Sequence, residues 1–146
     1  MTDRYRSIID VHIVLWRDGL VLLGERANTG YGDGRLNLPS GHLEDGESVV
    51  DGVIREAMEE IGITIDPADL RFAHVLHHRG ESGAARIGFF FEALRWSGEP
   101  VNMEPHKCAG LLWADPNALP PNIIPYQAAG VRNCHLGTSF ALHGWD

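Results

Sequence analysis

Basic clusters are missing from this sequence. Its 146 residues include 20 acidic and 12 basic side chains, a net charge of −8, so a surface for a nucleic acid polymer is not expected. Cysteine is almost absent. Cys108 and Cys134 are too few for a secreted disulfide framework and read as free thiols of a reducing cytoplasm. No apolar run approaches the ~20 residues of a membrane helix, and Met1 to Ser7 is polar rather than signal-like. The expected location is therefore cytoplasmic, with no membrane partner. Repeats, low-complexity tracts and linkers are also lacking. One domain spanning residues 1–146 is expected, and 44% hydrophobic content is enough to give it a core.

What is present centres on Gly41 to Ile63, GHLEDGESVVDGVIREAMEEIGI. Gly41, Asp45 and Gly46 mark a turn, a helix is expected from about Ser48 to Ile61, and Gly62 stands where a left-handed cap belongs. Val50, Val53, Ile54, Ala57 and Ile61 recur at helical spacing and form one apolar stripe. Beside it, Glu56, Glu59 and Glu60 share one side of the helix. That placement is unfavourable. Like charges at these spacings repel, and acids near a helix C-terminus oppose the macrodipole, each by a few tenths of a kcal/mol. Two readings follow: a solvated acidic face, or a cluster neutralised by a hard divalent cation such as Mg²⁺.

The spacing Gly41, five residues, Glu47, seven residues, then Arg55-Glu56-Ala57-Met58-Glu59-Glu60-Ile61-Gly62-Ile63 resembles the complete Nudix (MutT-like) box, with Ala57 and Ile63 in its hydrophobic slots. The preceding Leu38-Pro39-Ser40-Gly41 is similar to the Leu-Pro-Gly-Gly that usually leads in, Ser40 departing where a glycine is common. The fold this resemblance implies is α/β: a Nudix-type α/β/α sandwich, with a mixed β-sheet between the box helix and a C-terminal helix. The same resemblance favours the cation reading. It implies Mg²⁺, with Mn²⁺ as substitute, held by Glu56, Glu59 and Glu60 and completed by the Gly41 carbonyl. Glu56 doubles as general base in many members, while others recruit that base from a loop. Arg55 projects from a different side of the helix and is expected to orient the acids, pairing with Glu47, rather than to touch substrate.

From the N-terminus, Ile8 to Trp16 reads as a strand, Arg17-Asp18-Gly19 as a hairpin turn and Leu20 to Gly24 as its return. The glycine-rich Ala27 to Arg35 is a loop. It lacks the lysine pattern of a phosphate-binding P-loop, and Arg26 and Arg35 at its ends are candidate phosphate contacts. After the helix, Asp66 to Asp69 is a turn. Leu70 to His78 reads as a strand whose adjacent His77 and His78 face opposite ways and cannot share an ion. Ala85 to Trp96 is a second long strand, with Phe89, Phe90 and Phe91 mostly in the core. A proline-bearing loop, Glu99 to Cys108, precedes a short strand from Leu111 to Ala114, and Ile123 to Leu136 reads as a helix capped by Gly137. The tail from Thr138 is a short strand or a dimer contact.

The segment Asn102-x-Glu104-Pro105-x-Lys107-Cys108, then Trp113 and Leu119-Pro120, is similar to one Nudix branch of nucleoside triphosphate diphosphatases. That branch includes enzymes acting on oxidised nucleotides. The resemblance implies Glu104 as a further acid near the metal. A small nucleotide is the expected partner, its base between the glycine-rich loop, the middle strands and the segment from Trp113 to Tyr126, where Trp113, Asn122 and Tyr126 offer stacking and polar edges. A homodimer is left open by the sequence. Competing readings are an ADP-ribose or nucleotide-sugar pyrophosphatase, an isoprenyl diphosphate isomerase, and a silent nucleotide sensor. The isomerase is disfavoured by the intact box, and the sensor by the presence of all three helix glutamates.

Overall fold

Alternation in the first strand decides the architecture. Val11 and Ile13 are fully buried on one face, His12 and Val14 on the other, so this strand lies between two layers. The computed structural model describes residues 3–146; Met1 and Thr2, which begin the polar N-terminal stretch and the expected domain, lie outside the described residues.

In chain order the strands are β1 (Ile8–Val14), β2 (Trp16–Arg17), β3 (Leu20–Arg26), β4 (Leu36–Asn37) and β5 (Ser40–His42). Helix α1 (Val49–Ile61) follows, then a 3-10 turn at Pro67–Asp69, β6 (Leu70–Arg79), β7 (Ala85–Ala93), β8 (Cys108–Ala114), α2 (Pro125–Leu136) and β9 (Phe140–His143). A five-stranded sheet runs β5-β1-β7-β6-β9. It is mixed: β1 and β7 pair in parallel, as do β6 and β9, and the other pairs are antiparallel. Helix α1 packs Val53, Ala57 and Ile61 against Val11, Ile13 and Phe91 on one face. Helix α2 packs Tyr126, Ala128 and Val131 against Val14, Leu76 and Phe90 on the other. These are the three layers of an α/β/α sandwich.

A second sheet adds to the single one expected. Strand β3 pairs with β2 and β4 and also, antiparallel, with β8. The pairing with β8 is long-range and leaves no local periodicity to read. Helix α1 forms as its sequence directs. The Ser48 hydroxyl accepts from the Asp51 amide at 3.1 Å, and Gly62 closes the helix at φ 70°, its N–H returning to Met58 O. Two amides of the following loop, Val101 and Met103, each donate at 3.0 Å to the last free carbonyls, those of Ile61 and Glu60. That capping sets the 99–108 loop against the acidic end of α1.

Other boundaries differ from those expected. Helix α2 begins at Pro125 rather than Ile123, because the residue before a proline is pushed out of the helical region. Residues 122–124 bond to Leu36 instead. Strand β7 stops at Ala93, short of Trp96, and β8 starts at Cys108, ahead of Leu111.

Candidate active site

Helical spacing places Glu56 and Glu60 one above the other on α1, and sheet packing then presses them against β5. Glu60 is held by one backbone donor, the Ser40 amide, at 2.7 Å. Burial raises its pKa well above the usual carboxylate range, and the nearby Glu56 and Glu104 carboxylates raise it further. Glu56 is raised as well, first by burial, although Arg55 opposes the shift. The main chain makes room for it at Gly41: a Cβ there would overlap the Glu56 carboxylate.

Arg55 organises the remaining acids. Its Nε and Nη2 donate to the two Glu47 oxygens at 3.0 and 2.7 Å, while Nη1 reaches Glu56 at 2.8 Å and Glu59 at 3.1 Å. The fork holds Glu47 down at about 2. Glu47 spends its oxygens on Arg55 and on the Glu44 amide and faces away from the cleft. Glu59 lines the cleft but leaves its side chain 53% exposed beside Arg55.

The cleft has a volume of about 620 Å³. Gly41, Glu56, Glu59 and Glu60 line it together with Arg26, Glu104 and Lys107. Glu104 is aimed by its own loop: Asn102 Oδ1 accepts the Glu104 amide at 3.0 Å, and the Lys107 and Cys108 amides close back onto the Glu104 carbonyl. Arg26 is steadied by the glycine-rich loop, donating to Tyr31 O at 2.8 Å and to Thr29 Oγ1 at 3.2 Å. Lys107 is the chain's only lysine and was not anticipated as a site residue. Its three-residue spacing from Glu104 was the available signal.

Several expected contacts lie elsewhere. Arg35 is exposed and closes the loop through its backbone, its carbonyl accepting from the Arg26 amide at 2.9 Å. Trp113 shares a strand face with Leu111, which does line the cleft, but sits two residues farther along, ~7 Å away. There it packs beneath the Arg17 guanidinium at 4.8 Å. Asn122 donates to Gly34 O at 3.1 Å and so pins the loop from outside the cleft. Tyr126 is buried on the α2 side of the sheet, donating to Asp10 Oδ2 at 3.1 Å and stacked on His78. It offers no free face to a base. The cause is common to all four: which side of the molecule a residue faces was set by pairings remote in sequence.

The acid set fits a divalent cation. Two half-buried carboxylates and a third nearby share a single backbone donor, the guanidinium of Arg55 and the weaker influence of Arg26, too little positive charge for their number. A hard ion that keeps several of its own waters needs only a few protein oxygens. Among the described residues no three acidic, histidine or cysteine side chains already converge on one point. Arg55 draws Glu59 and one oxygen of Glu56 toward itself.

The chain is similar to known proteins along most of its length. The NUDIX domain family matches residues 6–134. The 8-oxo-dGTP diphosphatase of Escherichia coli (strain K12) is 28% identical over 122 residues, 82% of this chain and 92% of that one. The crystal structure of the MutT NUDIX hydrolase from Burkholderia pseudomallei superposes with a TM-score of 0.79 at 25% identity, over 88% of this chain and 98% of that one. A NUDIX hydrolase from Nitrosomonas europaea superposes at 0.77 with 24% identity, over 92% and 93% of the two chains, and shares the fold. With the box residues gathered on α1 at the rim of an acidic cleft, this chain belongs to the Nudix family and is a MutT-like Nudix hydrolase.

Proposed function

We propose that this protein hydrolyses a (deoxy)nucleoside triphosphate, ordinary or oxidised, to the monophosphate and pyrophosphate in the presence of Mg²⁺, with Mn²⁺ as a substitute. One observation carries the reading. The cleft sets an under-neutralised acid cluster, Glu56, Glu60 and Glu104, in the same space as two cationic side chains, Arg26 and Lys107. One part of such a cleft calls for a cation and the other for an anion, which is what a metal-bound polyphosphate supplies. The similarity to an 8-oxo-dGTP diphosphatase supports a triphosphate as the substrate class.

Glu56, Glu59, Glu60 and Glu104, with the Gly41 carbonyl, are the residues proposed to hold the ion. When bound, the metal lowers the pKa of water and offsets charge on phosphate oxygens. The chain's own residues do the rest. Arg26 and Lys107 orient the phosphates and stabilise charge on the departing bridging oxygen. Glu56 takes the proton of the attacking water as the new phosphorus–oxygen bond forms and the anhydride bond breaks; Glu104 is the alternative base. Arg55 positions Glu56 and Glu59 and, through Glu47, the turn before α1. We place this activity in one domain and in a reducing cytoplasm, in keeping with the two unpaired cysteines.

The test is pyrophosphate and phosphate release with Mg²⁺ from ordinary and oxidised nucleoside triphosphates, ADP-ribose and nucleotide sugars, with Glu60→Gln as control. Metal-dependent pyrophosphate release from a triphosphate, lost in the variant, is the expected result. Turnover confined to ADP-ribose or a sugar nucleotide would overturn the substrate, and full activity in Glu60→Gln would overturn the site.

A further inference from the structure

The loop 27–35 has the composition of a flexible segment, yet it closes round one side chain. Its two ends meet at Arg26, whose amide donates to Arg35 O at 2.9 Å and whose carbonyl accepts from the Gly34 amide at 2.7 Å. Gly32, at φ 62°, lays its main chain along the arginine stem: a Cβ there would stand 3.4 Å from Arg26 Cδ. The Tyr31 ring lies 5.5 Å from the guanidinium.

A guanidinium has five N–H donors. In Arg26 one donor on each nitrogen is already taken. Nε donates to Tyr31 O at 2.8 Å and Nη2 to Thr29 Oγ1 at 3.2 Å. Asn37, its amide turned so that Nδ2 donates to Gly24 O, accepts from Nη1 at 3.2 Å. Thr29 can accept only if its own proton points elsewhere. Asp33 ensures this: its Oδ1, 2.6 Å from Thr29 Oγ1, is nearer than Tyr31 O at 2.8 Å and is charged, so it takes the hydroxyl proton. Asp33 also accepts the Thr29 and Gly30 amides, at 3.0 and 3.1 Å. Each bond alone competes with water in an exposed loop. Acceptors in three fixed directions around one planar group nonetheless select a single orientation. One N–H on each Nη is left without a partner among the described residues, and Thr29 and Asn37 line the cleft beside Arg26.

We propose that Thr29, Asp33 and Asn37 are positioning residues that fix the Arg26 guanidinium before substrate arrives, leaving its two free N–H groups as a preset fork for a phosphate of the nucleotide. This rests on the reading of the cleft as a polyphosphate site. An arginine that binds an anion gives up side-chain freedom, and holding it in advance removes that cost from the encounter. A donor already aimed also needs no reorganisation as charge develops on the phosphate. One free N–H on each of two adjacent nitrogens matches two oxygens of one phosphoryl group. The glycines of the loop serve this by turning the chain: Gly30, Gly32 and Gly34 have φ of 78°, 62° and 82°, a region that other residues rarely adopt.

Kinetics of Thr29→Val, Thr29→Ser, Asp33→Ala and Asn37→Leu, alone and in an Arg26→Ala background, test this on the triphosphate that the protein turns over. Thr29→Val and Asn37→Leu should each lower kcat/KM about tenfold, as for a lost hydrogen bond to a charged group, and Thr29→Ser should stay within about twofold of wild type. Asp33→Ala should act in the same direction as Thr29→Val. In the Arg26→Ala background these substitutions should have no further effect. A loss that persists there would mean that Thr29 or Asn37 touches substrate or only shapes the loop, and overturns the proposal. A second readout needs no substrate. Without Mg²⁺ or nucleotide, the Arg26 Nε–H followed by NMR should exchange about tenfold more slowly than that of the exposed Arg132, and the difference should shrink in Thr29→Val. Equal exchange in the wild type overturns the proposal whatever the substrate. Slow Arg26 exchange in a protein that hydrolyses no triphosphate upholds the fixed arginine and overturns the functional reading.

Discussion

Gly41 and Glu56 are in direct apposition: the space where a side chain at residue 41 would begin is occupied by the Glu56 carboxylate. A strand residue and a helix residue fifteen positions apart thus define one point of the cleft. Gly41→Ala is expected to displace that carboxylate or shift β5. Overpacking of this kind costs about 1–3 kcal/mol, and a misplacement of about 1 Å at a reacting group costs on the order of a hundredfold in rate. Steady-state turnover beside urea unfolding checks it. A Gly41→Ala protein with wild-type kcat would show that the Glu56 position does not matter.

Arg55 binds three carboxylates with one planar fork, so its conservative replacement is expected to fail. Arg55→Lys keeps the charge but cannot serve Glu47 and Glu56 together in that geometry. Both Arg55→Lys and Arg55→Ala should lower stability by about 1–3 kcal/mol, the pair being partly solvated. Turnover should fall more than KM rises, because the arginine positions acids rather than substrate. Restoration of wild-type values by lysine would reduce its role to charge alone.

Adding Mg²⁺ should stabilise the folded protein. Burial and mutual repulsion make Glu56 and Glu60 costly when ionised, and a cation bound only by the native state contributes about 2.7 kcal/mol at a hundredfold excess over its Kd. The ion requires deprotonated carboxylates whose pKa values are raised, so affinity should strengthen as pH rises through that elevated range. Calorimetry with and without Mg²⁺ reads this directly. An equal rise in Tm for wild type and Glu60→Gln would place the ion elsewhere.

Acid should act on the core through His12. Burial, aided by the Arg86 charge, lowers its pKa to about 3 in the folded protein, against ~6.5 when unfolded. Between these values the unfolded chain binds a proton that the folded one refuses, so stability falls as pH falls, by up to ~1.4 kcal/mol per pH unit. Asp10 works in the opposite sense. Its pKa is raised by burial, so its contribution is greatest at low pH and is lost as pH rises through the folded value. The difference between wild type and His12→Gln isolates the histidine. Urea midpoints of the two proteins should diverge with pH below ~6.5, and parallel curves would show that His12 takes up its proton without unfolding.

Helix α1 was legible almost to the residue. Its signals are local: a serine cap at Ser48, apolar residues at helical spacing, and Gly62 in the left-handed conformation. Glu56 and Glu60 were legible with it, since helical geometry alone puts i and i+4 on one side. Tyr126 and Trp113 were not. An aromatic residue reads alike whether it lines a cleft or fills a core, and Tyr126 was claimed by Asp10 and His78, partners distant in sequence.

The sequence by itself determined the family box, the helix that carries it, the strand-rich character of the rest and the acidity of the site. These depend on neighbours within a few residues, whose interactions are nearly the same in any fold. Only the tertiary structure decided that β3 pairs with β8, and that the 99–108 loop caps α1 and so brings Glu104 and Lys107 to the glutamates. Those features follow from hydrogen-bond pairings across long stretches of chain, where a shift of one residue turns every side chain to the opposite face.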